Sequence, residues 1–308
     1  NGIDLAGEGG LVWSKLRGPG ANYKHALSDT EQGVGKYLSS NLTTATTTDA
    51  AGITAFNSNG FSVGSATTHN SSGYDYVHWS FRKAPGFFDV VTYTGNGAAR
   101  AIAHNLGSVP GMVIVKRYDA TENWTVYHRS TGTAKFLFLD DTAAAQTASS
   151  AFWNNTAPTS TNFTVGTNGG VNASGGSYVA YIFAHDSQTF GTDSDEAIIK
   201  CDSYTGNNGL QSIDVGFEPQ LILVKNTSSS SRWIIMDVMR GMNKDANTPM
   251  LFPDNSGAEG NAKVGVNSSG FTINEGASAT EWNASGDTYA YMAIRRPHKP
   301  PTAGTEVF

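Results

Sequence analysis

Seven histidines, 26 acidic residues and a single cysteine are the groups able to do chemistry in this 308-residue chain. No HxH, HExxH or CxxC places two ligands at the spacing a zinc ion needs. No GxSxG elbow or Walker loop offers an activated serine or a phosphate cradle. His25, His128 and His185 sit near aromatic residues and read as packed or surface strand residues. Cys201, in AIIKCDSY, reads as a buried thiol, and one cysteine allows no intrachain disulfide. The strongest metal candidate is HDSQTFGTDSDE (185–196), where Asp186, Asp193, Asp195 and Glu196 carry hard oxygens suited to calcium. Its spacing fits no EF-hand and it reads as an interdomain acidic loop, so no metal site is assigned.

Asp140 and Asp141, in LDDT, are a carboxylate pair of the kind glycoside hydrolysis uses. Neighbours in an extended strand point to opposite faces, so the two do not converge. No catalytic residue and no cofactor site follow, and the chain is not expected to be an enzyme. Of six tryptophans, Trp124 and Trp233 occupy similar places in two repeats and are expected in the core. Trp153, in the loop-like SAFWNNTAPTS, has no counterpart and is the one candidate for stacking on a glycan. Nine N-x-Ser/Thr sequons, Asn172 and Asn283 among them, follow from a composition rich in Asn, Ser and Thr.

The elements that would position these residues come in three copies. TTHNSSGYDYVHWSFRKA (67–84), GGVNASGGSYVAYIFAHD (169–186) and ATEWNASGDTYAYMAIRRP (279–297) align on Tyr76, Tyr178 and Tyr289, 102 and 111 residues apart. GGLVWSKLR, GMVIVKRYD and QLILVKNTS align on Lys15, Lys116 and Lys225. A period this long makes each copy domain-sized, unlike a solenoid repeat. Within a copy the apolar runs have the length and alternation of strands, and Gly/Asn clusters such as TGNG and NASGG supply the turns. The prediction is an all-β chain of three tandem homologous antiparallel β-sandwich modules, over residues 1–90, 91–202 and 203–308. The SYVAYIFA run is apolar on both faces and predicts a central strand. Whether the modules touch or merely follow in line is left open.

Hydrophobic residues make up 39% and charged residues 15%, with a net charge of −6 and no basic run, so nucleic acid is not an expected partner. No apolar run reaches the ~20 residues of a membrane helix, so membrane insertion is not expected. Asn1 opens the chain, NG resembles the tail of a TGNG turn, and EVF ends it where another such strand would begin. An interior piece of a longer polypeptide, or a product of cleavage at module boundaries, is the expectation.

Taken together, APGFFDVVTYTGNG, HNLGSVPGMVIVKR, VNASGGSYVAYIFAHD, DVGFEPQLILVK and YMAIRRPHKPP resemble repeat-containing structural proteins of marine tailed phages. The resemblance implies a non-catalytic virion component, a tail fibre or surface appendage, with copies of itself and other virion proteins as partners. It implies homo-oligomerisation and a role in host attachment, and transfers no site residue. Alternatives are a carbohydrate-binding adhesion array recognising host surface glycan and an extracellular or cell-surface filament subunit.

Overall fold

Short runs of β-branched and aromatic residues broken by Gly and Asn favour strands over helices, and the fold follows that bias. The computed structural model describes residues 2–18, 23–185, 197–243, 247–273 and 280–295. Among them are 24 strands and three α-helices of at most five residues, and every strand pairing is antiparallel. The chain is all-β and β-sandwich-like.

In the second repeat the main sheet runs Phe88–Thr94, Ser177–Ala184, Pro110–Arg117, Trp124–His128, Lys135–Phe138, Gln146–Thr147. The third repeat runs in the same order: Ile199–Thr205, Thr288–Arg295, Pro219–Asn226, Trp233–Asp237, Thr248–Leu251, Gly260–Ala262. In the first repeat three strands correspond, Tyr76–Arg82, Gly10–Leu16 and Ala26–Asp29. We call the corresponding strands the opening strand (Phe88–Thr94 and Ile199–Thr205), the tyrosine strand and the lysine strand, after Tyr76/178/289 and Lys15/116/225. Register matches too: Lys15 faces Val77, Lys116 faces Val179 and Lys225 faces Ala290. Smaller sheets, such as Arg100–Ala103 with Asn162–Val165, lie apart from the main ones.

The tyrosine strand is central in the second and third sheets, as its two-sided apolar pattern predicts, and Tyr178 to Ala184 are buried throughout. Each tyrosine hydroxyl ties down the loop before its own strand. Tyr178 donates to Gly169 O and accepts from Ala173 N; Tyr289 does the same with Thr280 and Ala284, and Tyr76 with Thr67 and Ser71. The turn between loop and strand needs a left-handed residue, and glycine supplies it each time at Gly73, Gly175 and Gly286, with φ of 80°, 75° and 84°.

The opening strands pair along their whole length with the tyrosine strand that follows them. The units of pairing therefore begin at Phe88 and Ile199, inside the segments 1–90 and 91–202. The third repeat has a buried cluster of its own, around Tyr204, Ile222, Phe271 and Tyr291, and a larger cluster is shared between repeats. Leu11, Trp13 and Leu27 join Val113, Trp124 and Tyr181, and Leu221, Trp233 and Met292, in one buried cluster.

Candidate functional site

The residues that hold this shared core recur at three junctions. Each begins at a lysine in a strand buried along nearly its whole length, so the side chain lies inside the protein and its ammonium needs internal acceptors. Lys15, Lys116 and Lys225 are all 0% exposed, and none forms an ion pair among the described residues. Backbone carbonyls hold them instead. Lys116 Nζ donates to Arg117 O (2.7 Å) and Glu122 O (2.9 Å) of its own repeat and to Thr43 O (3.0 Å) of the first. Lys225 donates to Ser231 O of its own repeat and to Thr142 O (2.8 Å) of the second. Lys15 donates to Leu16 O (2.9 Å) and, across the chain, to Ser256 O (3.1 Å) of the third. Burial lowers each ammonium to about 8, and nearby acids pull back: Glu259 on Lys15, Asp140 on Lys116 and Asp254 on Lys225.

The bonds run in a cycle, second repeat to first, third to second and first to third. Two further sets of three bonds join the same pairs of repeats, the backbone set with its donors in the opposite sense. Thr46 N donates to Tyr118 O, Ala145 N to Thr227 O and Glu259 N to Arg17 O. Ring nitrogens add the next set: Trp124 Nε1 donates to Ser39 O (3.0 Å) and Trp233 Nε1 to Phe138 O (2.7 Å), while His25 Nε2 meets Phe252 O (2.9 Å). Capping of the strand beside each lysine strand follows the same pattern. Asp140 accepts from Trp124 N, Asp254 from Trp233 N and Asn41 from His25 N. The three repeats close on one another through equivalent bonds.

The sites singled out by sequence fall as follows. His25 and His128 are packed and buried; His128 Nε2 meets Tyr291 O across repeats. Burial lowers His128 to about 4 and His25 well below its ordinary value. Asp140 is the strand cap described above, raised to about 6 by burial, while Asp141 accepts from Ala143 N in its own turn, so the two carboxylates serve separate local bonds. Cys201 is buried, its thiol 3.4 Å from Ala184 O. Asp186, Asp193, Asp195 and Glu196 lie outside the described residues; among those described, no three His, Cys, Asp or Glu residues cluster to hold a metal.

Trp153 departs from its expected place at the surface. It ends the helix Ser149–Trp153, is 2% exposed, donates from Nε1 to Lys135 O and meets Tyr127 edge-on. With its ring covered, it offers no stacking face to a sugar. Asn172 and Asn283, two of the sequon residues, are also buried, with their amides spent on backbone partners.

Sequence reasoning used the lysines as alignment landmarks and missed their role. The signal was present: a lysine in the same place in three apolar strands needs an internal acceptor.

A groove of about 430 Å³ is the other feature of note. It runs along Val77–Phe81 and is closed on its far side by Gln220, Leu221 and Ile294 of the third repeat. A family model spans residues 3–297, taking in all three repeats as one unit. The chain belongs to the DUF7483 family, a domain of unknown function. No curated protein matches it, and no solved structure does. Among the described residues no helix is long and apolar enough to cross a membrane.

Proposed function

We propose that this DUF7483 chain is a non-catalytic structural component of a phage virion, a tail fibre or surface appendage that works among other virion proteins and copies of itself. One observation carries the reading. The buried groups most capable of chemistry, Lys15, Lys116, Lys225, His25, His128 and Asp140, are held in bonds within and between repeats. Such use of polar groups suits a part whose task is to keep its shape, because a buried donor left unpaired costs about 1–3 kcal/mol. The motif resemblance to marine tailed-phage proteins supports the same reading. The covered ring of Trp153 removes the residue on which the glycan-adhesion alternative rested.

Quantitative peptide mass spectrometry of purified particles tests the proposal. The expected result is this chain at a fixed copy number per particle, co-purifying with capsid and tail proteins. Its recovery from free filaments or the cell surface, and its absence from particles, would overturn it.

A further inference from the structure

Two of the three tyrosine strands have an opening strand along their outer edge. Ser177–Ala184 is covered by Phe88–Thr94 and Thr288–Arg295 by Ile199–Thr205. The third, Tyr76–Arg82, pairs with Gly10–Leu16, and among the described residues no strand pairs with its other edge. The groove of about 430 Å³ lies along that edge and is lined by five consecutive residues of the strand. Gly111, which corresponds to Gln220 in the groove wall, packs against Cys201 of an opening strand in the third repeat. At Gln220 the groove thus has the wall position that faces an opening strand at Gly111.

Side chains at the edge match the two filled sites. Phe183 packs on Phe88 with ring centroids 4.9 Å apart, and the register sets Ile294 opposite Ile199; Phe81 holds the same place in the first repeat and lines the groove. Tyr178 stacks on Tyr93 at 5.1 Å and Tyr289 on Tyr204 at 5.0 Å. Among the described residues no tyrosine stacks on Tyr76, which lies parallel to His78 of its own strand, with 6.0 Å between ring centroids. Asn172 Oδ1 accepts from Asn96 N at 2.9 Å and Asn283 Oδ1 from Asn207 N at 3.0 Å, just past the opening strands. Asn70 occupies the corresponding position. Its Nδ2 donates to Gly64 O, as Asn172 Nδ2 donates to Gly166 O, which leaves Oδ1 turned for the same use with no donor among the described residues. Met239, 88% exposed, overhangs the groove.

We infer that the edge Val77–Phe81 is a docking site for one extended segment of the repeat's own opening type, supplied by a polypeptide segment other than residues 1–308. Phe88–Asn96 and Ile199–Asn207 share the pattern apolar-x-apolar-x-x-Tyr-Thr-Gly-Asn, and this is the chemistry of the occupant. Its apolar residues face Phe81 and Trp79, its tyrosine stacks on Tyr76, and its asparagine N–H bonds Asn70 Oδ1. Main-chain bonds to the open edge supply affinity and the alternate side chains supply specificity. The inference rests on strand pairing within this chain and stands apart from the proposed virion role.

The test adds a synthetic peptide of residues 86–97, GFFDVVTYTGNG, to the full chain and follows hydrogen exchange and binding. The expected result is saturable one-to-one binding with new protection confined to alternate amides of Val77–Phe81. Tyr93→Ala in the peptide weakens binding at least tenfold. Asn70→Ala in the chain, at an exposed position that leaves the circular dichroism unchanged, weakens it about fivefold. No saturable binding would overturn the inference, as would protection elsewhere. Protection of Val77–Phe81 that rises with protein concentration in the absence of peptide would also overturn it, since the occupant would then be a second copy of this chain.

Discussion

The junction that closes the first repeat onto the third differs in chemistry from the two that join neighbours, although the backbone bonds are the same. Neighbouring repeats meet through the indoles of Trp124 and Trp233, with carboxylates Asp140 and Asp254 as strand caps. The closing junction substitutes the imidazole of His25 and the neutral amide of Asn41. It adds charges the others lack. Glu259 takes two bonds from Arg17, at 2.9 and 3.2 Å, and one from Arg240 at 3.0 Å. Arg240 in turn bonds Asp237 and lies 5.2 Å from the Trp79 ring centroid, while Trp79 Nε1 donates to Asp237. A buried lysine thus serves all three junctions, with an indole beside it at two and an imidazole and added ion pairs at the third.

The largest break should come at an indole junction. Trp233→Ala removes a buried indole and leaves Phe138 O without its donor, so a loss of about 3–5 kcal/mol is expected from the denaturant midpoint. Lys116→Ala comes next. It leaves the carbonyls of Thr43, Arg117 and Glu122 unmet, and about 1–3 kcal/mol should be lost, with Lys116→Met recovering the packing but not the bonds.

Acid separates the junctions more sharply. His25 and His128 are held below their ordinary value in the folded chain, so unfolding takes up protons. Their contribution to stability is complete above about pH 6.5 and declines as pH falls below it, reaching its floor for His128 below about 4. Asp140, raised to about 6, acts in the opposite sense and gains stability as pH falls below that value. His25→Asn should reduce the proton uptake on unfolding at pH 5 by about one, measured from the slope of stability against pH. The smallest effect belongs to the partly exposed ion pair of the closing junction. Arg17→Lys removes the two-pronged bond to Glu259 and should cost about 0.5–1 kcal/mol at low salt, less in 0.5 M NaCl, as read by thermal melting.

The local pattern carried far more of this than the global arrangement. Tyr178 and its strand could be placed because alternation and turn residues are local signals, and the repeated lysines align the three copies with one another. Closure was not readable, because a bond such as Lys15 to Ser256 spans 241 residues and leaves no periodicity behind. His25 was hidden for a simpler reason. It lies ten residues after Lys15, whereas Trp124 and Trp233 lie eight after their lysines, so the correspondence shows only through hydrogen bonding. Trp153 misled because its helix is five residues long, too short for a helical pattern, and is fixed by long-range packing in which Phe152 stacks on Phe136 at 3.9 Å.

Differential scanning calorimetry of the full chain tests most directly whether the three repeats form one interlocked body. Closure through three equivalent junctions predicts a single transition whose calorimetric and van't Hoff enthalpies agree, and predicts that Lys116→Ala lowers the whole transition without splitting it. Separate transitions for the repeats, or a variant that melts one repeat while the others persist, would contradict the account.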